Sequence, residues 1–179
     1  MEIVMKKILR VFAVLMLIFS IGCSNEKDSS ASVNSGLTAQ MLITPEDVSG
    51  LVDYEMTASE EETYLKSSVI YASNPLGKDP VIVELYSYNG KNSVAAIHDM
   101  FKEKREKRPN SQDISDYDMD CFISYPSINL YCDGYMVVVT AGSGADETQA
   151  ELLKKFGAIA AEHLKEYLKK NPTDSNLLG

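Results

Sequence analysis

The run Tyr125-Pro126-Ser127-Ile128-Asn129-Leu130-Tyr131-Cys132-Asp133-Gly134-Tyr135-Met136-Val137-Val138-Val139-Thr140 decides the fold. Asp-Gly between two apolar, β-prone segments is a strong short-range signal for a two-residue hairpin, because both central positions need a positive φ. A turn centred on Asp133-Gly134 pairs Cys132 with Tyr135, Leu130 with Val137 and Ile128 with Val139. Side chains alternate faces along a strand, so Ile128, Leu130, Cys132, Val137 and Val139 share one apolar face. Asn129, Tyr131 and Thr140 share the other. Pro126-Ser127 reads as a second turn, one strand earlier. That centre sets Ile123 opposite Leu130 and Cys121 opposite Cys132, completing a three-stranded meander.

Outward toward the C-terminus, Gly142-Ser143-Gly144 links the meander to a long helix. Asp146 caps that helix, Gln149 has the capping-box spacing, and Asn171-Pro172 stops it near Lys170. Leu152, Phe156, Ile159, His163 and Tyr167 form its stripe, broadened by Leu153, Ala160, Leu164 and Leu168. Gly157, Ala158, Ala160 and Ala161 are small enough for close packing on a sheet.

Outward toward the N-terminus, Asn92 or Ser93 caps a helix to about Arg108, with Val94, Ile97, His98, Phe101 and Arg105 at helical spacing. Its end, Lys102-Glu103-Lys104-Arg105-Glu106-Lys107-Arg108, complements the helix dipole, with an anion- or lipid-headgroup-binding role as the other reading. Pro80–Tyr88 is a strong strand ending at Asn89-Gly90. Two more strands, Val52–Thr57 and Tyr64–Ala72, flank the acidic run Glu60-Glu61-Glu62. Thr44-Pro45-Glu46-Asp47 opens a short helical turn that Gly50 stops, with Ile43 and Val48 as a hydrophobic staple. These elements predict an α+β domain over residues 41–170. It is an antiparallel β-sheet of about five or six strands, including the meander, with two main helices packed on one face. Residues 171–179 read as a disordered tail.

The N-terminus carries an address. Lys6, Lys7 and Arg10 form a positive region, Val11–Ile21 is an apolar run of 11 residues, and Gly22-Cys23 precede a polar stretch. A spanning helix needs about 20 apolar residues, so a cleaved signal fits better than a permanent span. Here the chain resembles the prokaryotic lipoproteins, whose lipobox ends in a small residue followed by Cys. Ser20 stands where that family prefers Leu. The resemblance implies residues 1–22 as signal peptide and a diacylglyceryl group on Cys23. Residues 23–40, small and polar with no aromatics, read as the lipidated cysteine and a disordered tether. Over residues 43–168 the element order is similar to exported α+β domains of microbial lipoproteins and, at fold level, to the PsbP/Mog1-type sandwich. That likeness implies no catalytic residue.

Charge narrows the partners. The whole chain has net charge −9; without residues 1–22 it keeps 14 basic against 25 acidic residues, net −11. Such a surface disfavours nucleic acid and adhesion to anionic headgroups, so we expect no nucleic-acid partner.

Candidate chemistry is sparse. Cys121 and Cys132, directly opposed, would lie about 4.5–5.5 Å apart at Cα, a span that disulfides bridge. Export permits oxidation, so a structural disulfide is the leading reading, with buried free thiols and redox or metal work as the others. Asp113, Asp116, Asp118 and Asp120 raise calcium, with Asp116, Asp118 and Asp120 on one face of an extended segment. Cys121 and Ser127 stand where an EF-hand loop needs Gly and Glu, and solvated edge-strand carboxylates are the plainer reading. His98 and His163 read as helix-edge residues that would meet only if both helices share a sheet face. There is no nucleophile elbow, phosphate-binding glycine loop, haem motif or zinc motif. The expected protein is therefore a lipid-anchored, exported lipoprotein at the cell membrane or envelope, with a non-catalytic domain. Its partners would be the membrane, through the anchor, and an envelope protein or small ligand, with no cofactor and no bound metal. The alternatives are an envelope hydrolase or metal-dependent enzyme using His98, His163 or the Asp113–Asp120 carboxylates, and a structural subunit of an envelope complex.

Overall fold

The chain runs through α1 (Ala39–Leu42), α2 (Pro45–Leu51), β1 (Met56–Glu62), β2 (Lys66–Ser73), β3 (Val81–Ser87), α3 (Val94–Glu106), β4 (Gln112–Asp113), β5 (Asp120–Ser124), β6 (Ser127–Cys132), β7 (Tyr135–Ala141) and α4 (Glu147–Lys170). This computed structural model describes residues 36–63, 66–73, 77–88, 93–108, 110–143 and 146–172. The expected signal peptide, Cys23, the tether before residue 36 and the tail from residue 173 lie outside the described residues.

The strands form one seven-stranded antiparallel sheet in the order β1-β2-β3-β7-β6-β5-β4. The fold is α+β, with two strands beyond the lower expectation. β7 sits at the centre, and its Met136-Val137-Val138-Val139 run has no polar face to give to water. Such a run suits a strand buried on both sides. One face, carrying Tyr135, Val137, Val139 and Ala141, packs against Leu153, Phe156, Ala160, Ala161 and Leu164 of α4 and against Leu42, Ile43 and Val48. The opposite face, carrying Met136, Val138 and Phe122, packs against Ile97 and Phe101 of α3. The expectation that both main helices share one face is thereby corrected. The central strand exposes apolar side chains to both sides, so each side needs its own cover.

The helix ends follow their capping chemistry. Thr44 and Asp47 form a reciprocal capping box on α2, Ser93 accepts from Ala96 N at 3.0 Å on α3, and Asp146 accepts from Gln149 N at 2.9 Å on α4. The Gln149 side chain turns away from the cap and donates to the Ala141 carbonyl at the end of β7. Gly157 lies against β6: a Cβ there would stand 2.5 Å from Ile128 Cδ1. A larger residue could not let α4 sit this close.

Three further expectations are corrected. The folded domain begins before residue 41, because Leu37 and Ala39 are buried in the main core. Glu60, Glu61 and Glu62 do not separate strands but end β1, an exposed edge strand where charge discourages unwanted pairing. The β5–β6 turn is centred on Tyr125-Pro126, joined by a cis peptide bond, and not on Pro126-Ser127. Moving the centre by one residue moves every partner by two. Cys121 pairs with Leu130 and Ile123 with Ile128, while the β6–β7 register is the expected one.

Candidate functional site

The register shift changes the chemistry of the two cysteines. They keep the same sheet face but become diagonal neighbours, roughly 7–8 Å apart in such a ladder. A disulfide's usual Cα span is about 4.4–6.8 Å. Both are free thiols, Cys121 buried and Cys132 half-buried, and the expected disulfide is corrected accordingly.

The two cysteines nevertheless belong to one site. They line a cleft of ≈ 670 Å³ with Arg105 from the last turn of α3, Asp113 from β4, Asp118, Met119 and Asp120, Tyr131 from β6 and Asp133 from the hairpin turn. The cleft forms where β4 is too short to cover β5. Ile114 N–H donates to the Cys121 carbonyl at 3.0 Å and fastens the crossing loop. Tyr117 holds the same loop to α4 by donating to the Lys154 carbonyl at 2.8 Å.

Charge makes this cleft acidic, and burial makes its thiols weakly reactive. Arg105 pairs with Asp113, and Lys165 reaches Asp118 at 3.3 Å. Burial, reinforced by Asp116 and Asp113, pushes the Cys121 thiol up to about 12. Burial also raises Cys132, with Asp133 adding to the effect and Lys165 opposing it. A thiol acts as nucleophile or metal ligand as its thiolate, so at neutral pH both walls are neutral and weakly polar. Tyr131 rises for the same first reason, burial.

The other sequence candidates disperse. Asp116 faces a groove beside α4 and not the cleft, and residues 116–119 turn where an extended segment was expected. Among the described residues no three His, Cys, Asp or Glu side chains gather in a metal-holding group. His98 stacks on Tyr131, ring centroids 4.7 Å apart, while His163 Nδ1 lies 3.0 Å from the Leu42 carbonyl on the other side of the sheet. The two histidines therefore cannot meet. Sequence reasoning missed Arg105 and Lys165 as the counter-charges of this loop. Arg105 did fall in the α3 stripe, a signal that it faced protein, but its partner lies across a turn.

No family model, curated protein or solved structure matches the chain.

Proposed function

We propose that the chain is an exported lipoprotein, anchored to the cell envelope through Cys23, whose folded domain binds a ligand or partner without catalysing a reaction. The anchor rests on the order Lys6, Lys7, Arg10, then Val11–Ile21, then Gly22-Cys23. No helix among the described residues is long and apolar enough to cross a membrane. The observation that carries the binding role is the acidic cleft. It is recessed, walled by Met119 and Tyr131, and rimmed by Asp113, Asp118, Asp120 and Asp133, with two protonated thiols beneath. Four carboxylates against one lining cation, Arg105, beside apolar walls suit a cationic group with an apolar neighbour, such as a basic peptide segment. The histidines contribute no common base, because the sheet separates them.

The test uses the full chain in its membrane, cross-linked in situ. Retention of an envelope protein or small cation by the native chain, lost in Asp120→Asn with Met119→Lys, is the expected result. Equal recovery from native and substituted chains removes the cleft from the function. No retained molecule removes the binding reading itself.

A further inference from the structure

α3 carries positive charge on the side away from the cleft, and that charge surrounds a hollow. A groove of ≈ 310 Å³ lies between its C-terminal half and the sheet, with Met100, Met136 and Tyr86 as apolar surfaces and Lys104, Lys107, Arg108 and one carboxylate, Glu103, around them. Met136 is buried, Tyr86 and Lys104 are half-buried, and Arg108 is exposed. The volume is at the lower end of small-molecule sites, about 300–1,000 Å³.

The pairing of the surrounding charges is uneven. Lys107 is held by Glu103, and Lys66, beside the Tyr86 ring, is held by Glu84. Arg105 turns to the cleft and Asp113. Among the described residues neither Lys104 nor Arg108 forms an ion pair. Four cations (Lys66, Lys104, Lys107 and Arg108) thus stand around two carboxylates, on a chain whose net charge is −9. Burial lowers the Lys104 pKa; Glu84 opposes this, and Arg108 and Lys66 lower it further. The helix dipole accounts for cations in the last turn of α3, but not for a half-buried lysine that shares a groove with Met100 and Met136 and has no ion pair among the described residues.

We infer that this groove binds an amphipathic anion, a phosphate or carboxylate head carrying a short apolar body. Lys104 and Arg108 receive the head. Arg108 has a planar fork that matches two anionic oxygens, while Lys104 is a point charge. Met100 and Met136 are adaptable apolar surfaces for the body, and Tyr86 offers a ring face. A bare inorganic anion would leave these surfaces wet and would lose their contribution. The groove is distinct from the acidic cleft and opposite to it in charge, so it goes beyond the binding role assigned to that cleft. Two sources share this chemistry: a free organic anion, and the headgroup of an anionic phospholipid with the start of its chains.

The test titrates the full chain, held in phosphatidylcholine nanodiscs, with butyl phosphate and with inorganic phosphate. Butyl phosphate is expected to bind saturably, more tightly than inorganic phosphate, and to raise the melting temperature as occupancy grows. Lys104→Gln combined with Arg108→Gln should weaken it on the order of tenfold or more while leaving the unliganded melting temperature in place. Lys102→Gln, exposed on α3 and not lining the groove, should not. Repeating the titration in phosphatidylglycerol nanodiscs separates the sources. An unchanged affinity assigns the groove to a free anion. An affinity weakened in the native chain but not in the double variant assigns it to the headgroup. Absence of saturable butyl phosphate binding in phosphatidylcholine, or binding that survives the double substitution, overturns the inference and leaves the acidic cleft untouched.

Discussion

Gly134 shows how one residue fixes a register. Asp133 and Gly134 both have positive φ, 47° and 83°, as the tight hairpin between β6 and β7 requires. A Cβ on Gly134 would also stand 2.8 Å from Val94 Cγ2. Gly134→Ala should therefore cost about 1–3 kcal/mol through backbone conformation, with the Val94 contact adding to it. Urea unfolding of the variant checks this, and an unchanged midpoint contradicts it. This turn was readable because its requirement is local. The turn before it was not, because Pro126 marks a bend without saying which of its neighbours shares the centre. That ambiguity moved Cys121 two residues along β6, from Cys132 to Leu130. The thiols give a second prediction. In the Cys23→Ala chain, unfolding without reductant should release two free thiols, and Cys121 should react slowly while folded. The Cys121 pKa is raised from 9.0 to about 12, so its neutral form stabilises the fold fully below about pH 9. That contribution declines as pH climbs toward 12, because the unfolded chain ionises first. Tyr71 and Tyr117, each raised to about 12, act in the same direction. Stability measured from pH 8 to 11 should fall, and a flat profile would contradict the buried thiol.

At the scale of elements, periodicity found both helices and missed where α3 docks. Val94, Ile97 and Phe101 were legible as its apolar stripe, and all three are buried. A stripe tells which side of a helix is covered but not which sheet face covers it. The signal that could have decided this lay in β7, where Val137-Val138-Val139 allows no solvated face. α3 is consequently held by a small cluster: Ile97, Phe101, Phe122, Met136 and Val138, with Tyr86 and Tyr131 at its margin. Phe101 is the centre of that cluster, its ring centroid 5.1 Å from Phe122 and 5.6 Å from Tyr131. Asn129, fully buried in β6 on the same side, leaves its Oδ1 without a hydrogen bond, which weakens this side further. Phe101→Ala should cost about 3–5 kcal/mol. It should also loosen α3 before α4, because local opening follows the density of buried contacts. Hydrogen exchange resolved by segment is the check: amides of 94–106 should speed up more than those of 147–170. Equal acceleration would mean that the two faces open as one unit.

For the whole molecule, the question is whether the anchor and the domain are separable. No described core residue precedes Leu37, and Leu37 lies 14 residues after Cys23. A chain of that length reaches up to roughly 50 Å, so attachment at Cys23 need not constrain the fold. Lipid chains would then supply the attachment, at about 0.8 kcal/mol per buried methylene, with two or more needed for a stable hold. The net charge of the acidic domain would supply none, since anionic headgroups repel it. Cys23→Ala should therefore move the protein from the membrane fraction to the soluble one, or leave it as an unprocessed precursor that chases slowly. Its thermal midpoint should equal that of the native chain, because no described core contact is touched. Fractionation with a parallel melt gives both readings from one preparation. If the Cys23→Ala chain is processed to its mature length and still sediments with membranes, the lipid is not the anchor. A lowered midpoint would instead mean that residues before Leu37 contribute to the fold, and the domain boundary would have to move toward the N-terminus.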